Sequence, residues 1–158
     1  MVVALFLATR PVEARGPSTP QERDQAVRLV HLLEADPLAS KARDARTWLV
    51  TWLAEVPDIT VAMCTGLLGP DFDSHGKFAS ELAVQQALSS AAFKIEHPDE
   101  AADDIAVNTA AVSGVLLAYE SVLKQHPKAK QKSLDALIAA RESGSLRARV
   151  VELSKSCH

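Results

Sequence analysis

Apolar residues recur along most of the chain at the spacing of an α-helix, and prolines separate the runs. Side chains three and four positions apart share one face of a helix, so each run predicts a helix with one apolar face. Pro37, Pro57, Pro98 and Pro127 stand at the ends of such runs, where a residue without a backbone N–H cannot continue the helix. No stretch has the alternation of apolar and polar residues that is typical of a strand. The pattern therefore predicts an all-α protein, a compact bundle of six or seven helices.

The first half of the chain contains three of these runs. A helix is expected to begin at Ser18-Thr19-Pro20, because a capping hydroxyl and an early proline favour a helix N-terminus. A second helix is predicted from about residue 40 to residue 56. Asp58 could cap a third, short helix at 59–68. Its first three residues are largely β-branched, which leaves a strand as the alternative.

Two long helices are predicted at about 78–96 and 99–125, and two shorter ones follow them. The helix at 78–96 is rich in Ala and Ser. Small side chains let neighbouring helices approach closely, so we expect this helix at the centre of the bundle. Acidic residues cluster at the start of the helix at 99–125, and Lys124 stands in its last turn, an arrangement that complements the helix dipole.

Composition narrows the class of protein. The chain has 158 residues, of which 47% are apolar and only 4% aromatic, which fits one helical domain with an aliphatic core. The net charge of −3 is too small to draw the chain to nucleic acid, so no nucleic-acid partner is expected. No transmembrane segment is expected either, because the apolar run at residues 2–8 is far shorter than the ~20 residues that span a bilayer.

The N-terminus has features of a secretory signal. A short apolar run precedes Val12-Glu13-Ala14, a small-residue cleavage site of the A-x-A kind, although no Lys or Arg comes before the run. We predict a truncated signal peptide at 1–14, a flexible lead at 15–19 and a single helical domain at 20–158. The expected location is periplasmic or secreted. If the segment is not a signal, the alternative is a cytoplasmic protein.

Cys64 and Cys157 are the two cysteines of the chain. In an exported protein an even number of cysteines tends to form disulfides, so these two are predicted to pair. The alternative is one buried thiol and one free thiol near the C-terminus.

The segment at 71–82 is similar to an EF-hand calcium loop. Asp71 and Asp73 stand at the first and third positions of that pattern, and Gly76 stands at the sixth. His75 replaces an oxygen ligand, and Glu81 comes one residue before the position of the bidentate glutamate. A metal site formed by Asp71, Asp73, His75 and Glu81 is thus one hypothesis, with calcium as the cation. Otherwise no cofactor is expected, and the loop only connects two helices.

A hydrolase centred on residues 71–75 is a related alternative, with Glu81 or Glu96 near the loop. Asp73, Ser74 and His75 are adjacent in sequence, however, and catalytic partners converge from separate elements. His31 and Glu34, one helical turn apart, are interpreted as a solvated pair. The sequence leaves enzymatic activity uncertain and favours its absence.

Lysines cluster where the helix at 99–125 ends and the next one begins. Lys124, Lys128, Lys130 and Lys132 could contact an acidic partner, or they could form a solvated corner of the fold. Positive charge is mildly unfavourable at the start of a helix. Local helix stability therefore does not explain the cluster, and we consider it a candidate interaction patch.

Residues 118–141, AYESVLKQHPKAKQKSLDALIAAR, resemble part of a tetratricopeptide-like helical hairpin. The resembling positions are Ala118, Tyr119, Leu123, Pro127 and Ala129. The whole chain also resembles the small exported helical proteins of bacteria. The hairpin resemblance implies a groove that binds a protein or a peptide. Taken together, we expect an exported module that interacts with an unknown protein or peptide partner without catalysis.

Overall fold

The computed structural model describes residues 15–157, and all regular secondary structure in that range is helical. The helices are α1 (Pro20–Ala35), α2 (Ala42–Glu55), α3 (Ala79–Glu96), α4 (Asp104–Gln125), α5 (Lys132–Glu142) and α6 (Leu146–Ser154), with one turn of 3-10 helix at Thr65–Leu68. The structure confirms the prediction of an all-α bundle of six or seven helices, since residues 15–157 form six α-helices, two of them long. The predicted signal peptide at 1–14 lies outside the described residues.

The two long helices form the centre of the fold. α3 and α4 make the most extensive contact of any two elements, and α1 packs against both of them. α2 contacts α1, whereas α5 and α6 lie against α4. The apolar core accordingly has two parts, one between α1, α2 and α3 and one between α4, α5, α6 and the 3-10 turn. The central position expected for the helix at 78–96 is observed.

α1 begins where its cap residues predict. The Thr19 hydroxyl accepts a hydrogen bond from the Glu22 N–H at 3.2 Å, and the Glu22 carboxylate accepts one from the Thr19 N–H at 2.8 Å. This capping box satisfies two backbone donors that the helix itself leaves unpaired. The residues that predict this helix start are neighbours in the sequence, and they form the cap with one another.

The helix predicted at 59–68 is wrong except for its last turn. Only Thr65–Leu68 is helical, and neither a helix nor a strand forms at 57–64. Asp58 caps nothing. Its carboxylate instead accepts hydrogen bonds from the hydroxyl and N–H of Ser18, at 2.7 and 2.8 Å, and from the Arg23 guanidinium at 2.6 Å. These bonds, the Ser18 hydroxyl first, hold the pKa of Asp58 well below its usual range. The segment therefore serves to attach the lead at 15–19 to the domain.

α4 begins five residues later than the predicted start at residue 99. Asp103 is its N-cap, and one carboxylate oxygen accepts hydrogen bonds from the N–H groups of Ile105 and Ala106 at 2.9 and 3.0 Å. These bonds lower the pKa of Asp103, the bond from Ala106 having the largest effect. Asp99 and Glu100 stand in the preceding turns, so they do not belong to the first turn of the helix.

Cys64 and Cys157 lie at disulfide-bonding distance, as predicted, with Cα atoms 5.7 Å apart. The link joins the residue just before the 3-10 turn to the C-terminal end of the described chain. Gly66 allows the two segments to approach, because a Cβ there would come within 2.5 Å of the Ser156 Oγ. A bridge here closes a large part of the chain into one loop.

α4 is long and apolar enough to cross a membrane, judged by length and composition alone. It has 22 residues, and the mean hydropathy of its most apolar window is 1.4. A core helix has the same properties, and 61% of this window is buried inside the bundle. The packing of α4 against four other helices accounts for its composition.

Candidate functional site

A hollow of about 390 Å³ opens where α3 begins and α4 ends. It is lined by Lys77, Gln125, His126, Pro127, Lys128 and Ala129. We call this hollow the basic corner, because its lining contains two ammonium groups and no carboxylate. Its remaining surface is mostly apolar and comes from the end of α4 and the α4–α5 connection.

The backbone at Phe78 brings the two sides of the basic corner together. Phe78 is the N-cap of α3 and has a φ of 67°, a left-handed conformation that is unusual for an aromatic residue. In this conformation its ring lies 4.8 Å from the ring of His126, and the Lys77 ammonium lies 4.8 Å from the Phe78 centroid. Strained backbone of this kind often occurs at functional sites.

The lysines predicted as an interaction patch are all exposed, but they do not form one surface. Lys128 lines the basic corner, and Lys132 lies 3.6 Å from the Asp71 carboxylate. Lys124 lines a separate hollow between α1 and α4, together with His31 and Glu120. Among residues 15–157, Lys124, Lys128 and Lys130 have no carboxylate within 4 Å.

Sequence reasoning missed Lys77, the second cation of the basic corner. It lies 51 positions before Lys128 and has no carboxylate within 4 Å in the described part of the chain. The one available signal was that a long helix starts just after Lys77 and the next helix ends just before Lys128. An antiparallel pair of helices brings those two points to the same end of the bundle.

Polar groups of the loop predicted as a metal site contact other groups of the protein. Asp73 accepts a hydrogen bond from the His75 N–H at 3.0 Å. The backbone N–H and C=O of Asp73 both bond to the Gln131 side chain, at 2.9 and 3.0 Å. Asp71 faces Lys132 from α5. Gln131 thereby ties the loop to the start of α5, a role that the sequence did not suggest.

Glu81 does not join these residues. It lies in the first turn of α3, where its carboxylate accepts a hydrogen bond from the Ser80 hydroxyl at 2.9 Å. In residues 15–157 no group of three or more His, Cys, Asp or Glu side chains is arranged to hold a metal ion. Calcium binding at 71–82 stays a prediction, without a ligand set brought together by the fold.

Of the residues named for a hydrolase, Ser74 and His75 contact each other, but Glu96 lies at the far end of α3. Ser74 Oγ and His75 Nδ1 are 3.4 Å apart on an exposed turn. Glu96 is at the opposite end of α3, about 22 Å along the helix from Glu81 at 1.5 Å per residue. Glu96 instead contacts His31, so it cannot act at the loop in this conformation.

A buried polar network connects α1 to α3 and corrects the interpretation of His31 and Glu34 as a solvated pair. Glu34 is 9% exposed. One carboxylate oxygen accepts a hydrogen bond from the Ser89 hydroxyl at 2.7 Å, and the other lies 2.7 Å from His31 Nδ1. Gln85 donates to Ser89 at 3.0 Å, and His31 Nε2 lies 3.0 Å from Glu96.

The order of groups in this network does not favour nucleophilic catalysis. A catalytic serine gives its proton to a histidine, whereas Ser89 gives its hydrogen bond to a carboxylate and is 3% exposed. Partial burial opposes the charged form of His31, but its hydrogen bonds to Glu34 and Glu96, together with their charges, outweigh this and raise its pKa. The network therefore joins helices.

Comparisons of the chain with protein-family models, with curated proteins and with solved structures found no match. The function has to be argued from the residues of the chain itself. Of the surfaces described above, the basic corner is the one where sequence and structure together identify unpaired charge, a concave shape and a strained backbone.

Proposed function

We propose that the protein is an exported helical interaction module that binds an acidic protein segment at the basic corner and has no catalytic activity. The observation that carries the proposal is the hollow between α3 and α4, where Lys77 and Lys128 are exposed without a carboxylate partner. Its concave shape lets a partner approach both ammonium groups at once. Charge complementarity selects an acidic ligand.

The expected affinity is modest and depends on salt. Exposed ion pairs contribute roughly 0.2–1 kcal/mol each, so two lysines alone do not give tight binding. Pro127, Ala129 and the His126 ring, which lies tilted against Phe78, provide apolar surface that a ligand covers. This surface adds affinity without adding salt dependence.

Export is supported by the cysteine pair and by the composition of the N-terminus. Disulfides persist in oxidising compartments and are rare in the cytosol, and Cys64 and Cys157 lie at bonding distance. Intact mass of the native protein under non-reducing conditions tests this part of the proposal. We expect loss of the first fourteen residues and a deficit of two daltons; a chain that keeps Met1 and two free thiols would contradict it.

Binding is tested by fluorescence anisotropy of a labelled peptide rich in Asp and Glu, with the matching Asn and Gln peptide as the neutral control. We expect Lys77→Ala/Lys128→Ala to weaken binding of the acidic peptide about tenfold, which corresponds to about 1.4 kcal/mol. Lys41→Ala/Lys155→Ala removes the same charge from exposed positions outside the corner and should have little effect. Equal loss in both double variants would show that only net charge matters and would contradict the proposal.

A further inference from the structure

We infer that the acidic segment bound at the basic corner belongs to a second copy of this chain. The segment is the connection between α3 and α4 together with the first residue of α4, residues 97–104, with the sequence HPDEAADD. We call it the acidic loop. This inference rests on the proposed function of the basic corner and names its partner.

The acidic loop and the basic corner lie at opposite ends of the same pair of helices. The corner is at the start of α3 and the end of α4, and the loop is at the end of α3 and the start of α4. α4 has 22 residues, which places the two ends about 33 Å apart at 1.5 Å per residue. The loop of one molecule therefore cannot reach its own corner, and any contact between them is intermolecular.

The loop presents charge that the fold does not neutralise. Asp99, Glu100 and Asp104 are exposed, and no cation lies within 4 Å of them among residues 15–157. Asp103 is different, because it caps α4 and lies 3.4 Å from Arg147. Three carboxylates without partners at one end thus match the lysines without partners at the other.

Several other charged groups near the two ends already have partners in the same molecule. At the acidic end, the Lys94 ammonium donates to the Thr60 carbonyl, and Glu96 is held by His31. Near the basic end, the exposed carboxylate of Asp71 pairs with Lys132. Lys77 and Lys128 in the hollow keep their charge available.

Two different surfaces on one molecule produce a head-to-tail assembly. Each contact leaves one free corner and one free loop, so copies can add at both ends until the assembly closes into a ring of two or more copies. The contact is small and mainly electrostatic, so we expect weak association that salt disrupts.

Sedimentation velocity of the full chain tests the inference. At about 0.01 M ionic strength, where the Debye length is about 30 Å, we expect the average mass to rise with protein concentration above that of the monomer. At about 1 M salt, where that length is about 3 Å, the protein should sediment as a monomer. Wild-type protein that stays monomeric at low ionic strength would overturn the inference.

Two variants then identify the surfaces. Lys77→Ala/Lys128→Ala removes the corner, and Asp99→Asn/Glu100→Gln removes loop charge while leaving the Asp103 cap of α4 intact. Each variant alone should be monomeric. Because one keeps its loop and the other keeps its corner, an equimolar mixture should form a dimer and nothing larger. Variants that associate like wild type, or a mixture that stays monomeric, would contradict the inference.

The two proposals can fail separately. If the Asp- and Glu-rich peptide binds at the corner but the wild-type chain does not self-associate, the second copy is not the partner and the proposed function stands. If neither that peptide nor the peptide HPDEAADD binds, both proposals fail. Circular dichroism of each variant establishes that the helices remain folded.

Discussion

Replacing Gly114 with alanine is expected to separate α4 from α1 and α3. Gly114 is buried where these helices meet, beside the polar network of Glu34 and Ser89. A Cβ at this position would lie 2.1 Å from Ser89 Oγ, 2.4 Å from Glu34 Oε1 and 2.7 Å from Ser89 Cβ. Rotation of the Ser89 hydroxyl relieves the first contact but not the last, so the helices have to move apart.

The magnitude follows from opposing effects on the free energy of unfolding. Alanine in a helix interior is more favourable than glycine by about 1 kcal/mol. Overpacking of this kind costs about 1–3 kcal/mol, and loss of the hydrogen bond from Ser89 to the Glu34 carboxylate costs about 1.5–3 kcal/mol. Gly114→Ala should therefore destabilise the protein by about 1.5–5 kcal/mol, against the direction that helix propensity predicts.

Urea unfolding followed by circular dichroism measures this change. Gly16→Ala is the control, because a Cβ at that position meets nothing within 4 Å, and its effect should stay within about 0.5 kcal/mol. Adding Ser89→Gly to Gly114→Ala moves the small residue to α3 and should recover part of the loss. If Gly114→Ala is as stable as wild type, the close packing argued from these distances is wrong.

Four further perturbations test other parts of the structure. Replacing Cys64 and Cys157 with serine should lower the free energy of unfolding by about 4–5 kcal/mol, because the bridge closes a loop of 93 residues; an unchanged urea midpoint would contradict this. The folded-state pKa of His31 is raised, so the stability that it contributes is complete below its unfolded-state pKa and disappears as pH rises through the folded-state value. The difference in stability between wild type and His31→Gln should therefore shrink with increasing pH, and a difference that grows would refute the assignment. Tyr119→Phe should cost about 1–3 kcal/mol in urea unfolding, because the backbone N–H at the start of α5 loses the phenol oxygen that accepts its hydrogen bond at 2.7 Å. Phe78→Gly should be more stable than Phe78→Ala by about 1 kcal/mol, since both lose the ring and only glycine adopts the left-handed backbone without strain.

Elements whose boundaries depend on neighbouring residues could be predicted from the sequence. Thr19, Pro20 and Glu22 form the cap of α1 with one another, so the residues that determine the start of the helix are adjacent in the chain. The same holds for the helix ends at Glu55 and Gln125, each of which lies two positions before a proline. Local signals of this kind do not depend on the rest of the fold.

Predictions failed where a side chain could bond either to a local partner or to one distant in the sequence. Asp58 was expected to cap a helix, but Ser18 and Arg23 of α1 and its lead provide three hydrogen-bond donors, and the helix does not form. Asp99, Glu100 and Asp103 were all acceptable near a helix start, and the sequence could not show which would be the cap. Only packing against the other helices decides between such equivalent residues.

Only one of the two lysines of the basic corner was predicted, for a similar reason. Lys128 belongs to a cluster of lysines that is visible in the sequence. Lys77 is a single lysine in the segment that contains Asp71 and Asp73. The fold joins them because α3 and α4 are antiparallel. Conversely, Lys132 belongs to the cluster but is paired with Asp71. The sequence therefore predicted a patch with more free lysines than the structure has.

The buried carboxylate of Glu34 explains why the ends of α3 and α4 keep a fixed position relative to α1. Sliding α1 by one turn along α3 would remove Glu34 from Ser89 and leave a buried charge without its hydrogen-bond donor. Losing a hydrogen bond to a buried carboxylate costs about 1.5–3 kcal/mol, which opposes such a shift. Gly114 allows this arrangement because no side chain on α4 occupies the space of the network. A rigid central pair suits the head-to-tail contact that we infer, because it fixes the distance between the two charged ends. Gly114→Ala changes neither charged surface and should therefore weaken self-association in sedimentation velocity.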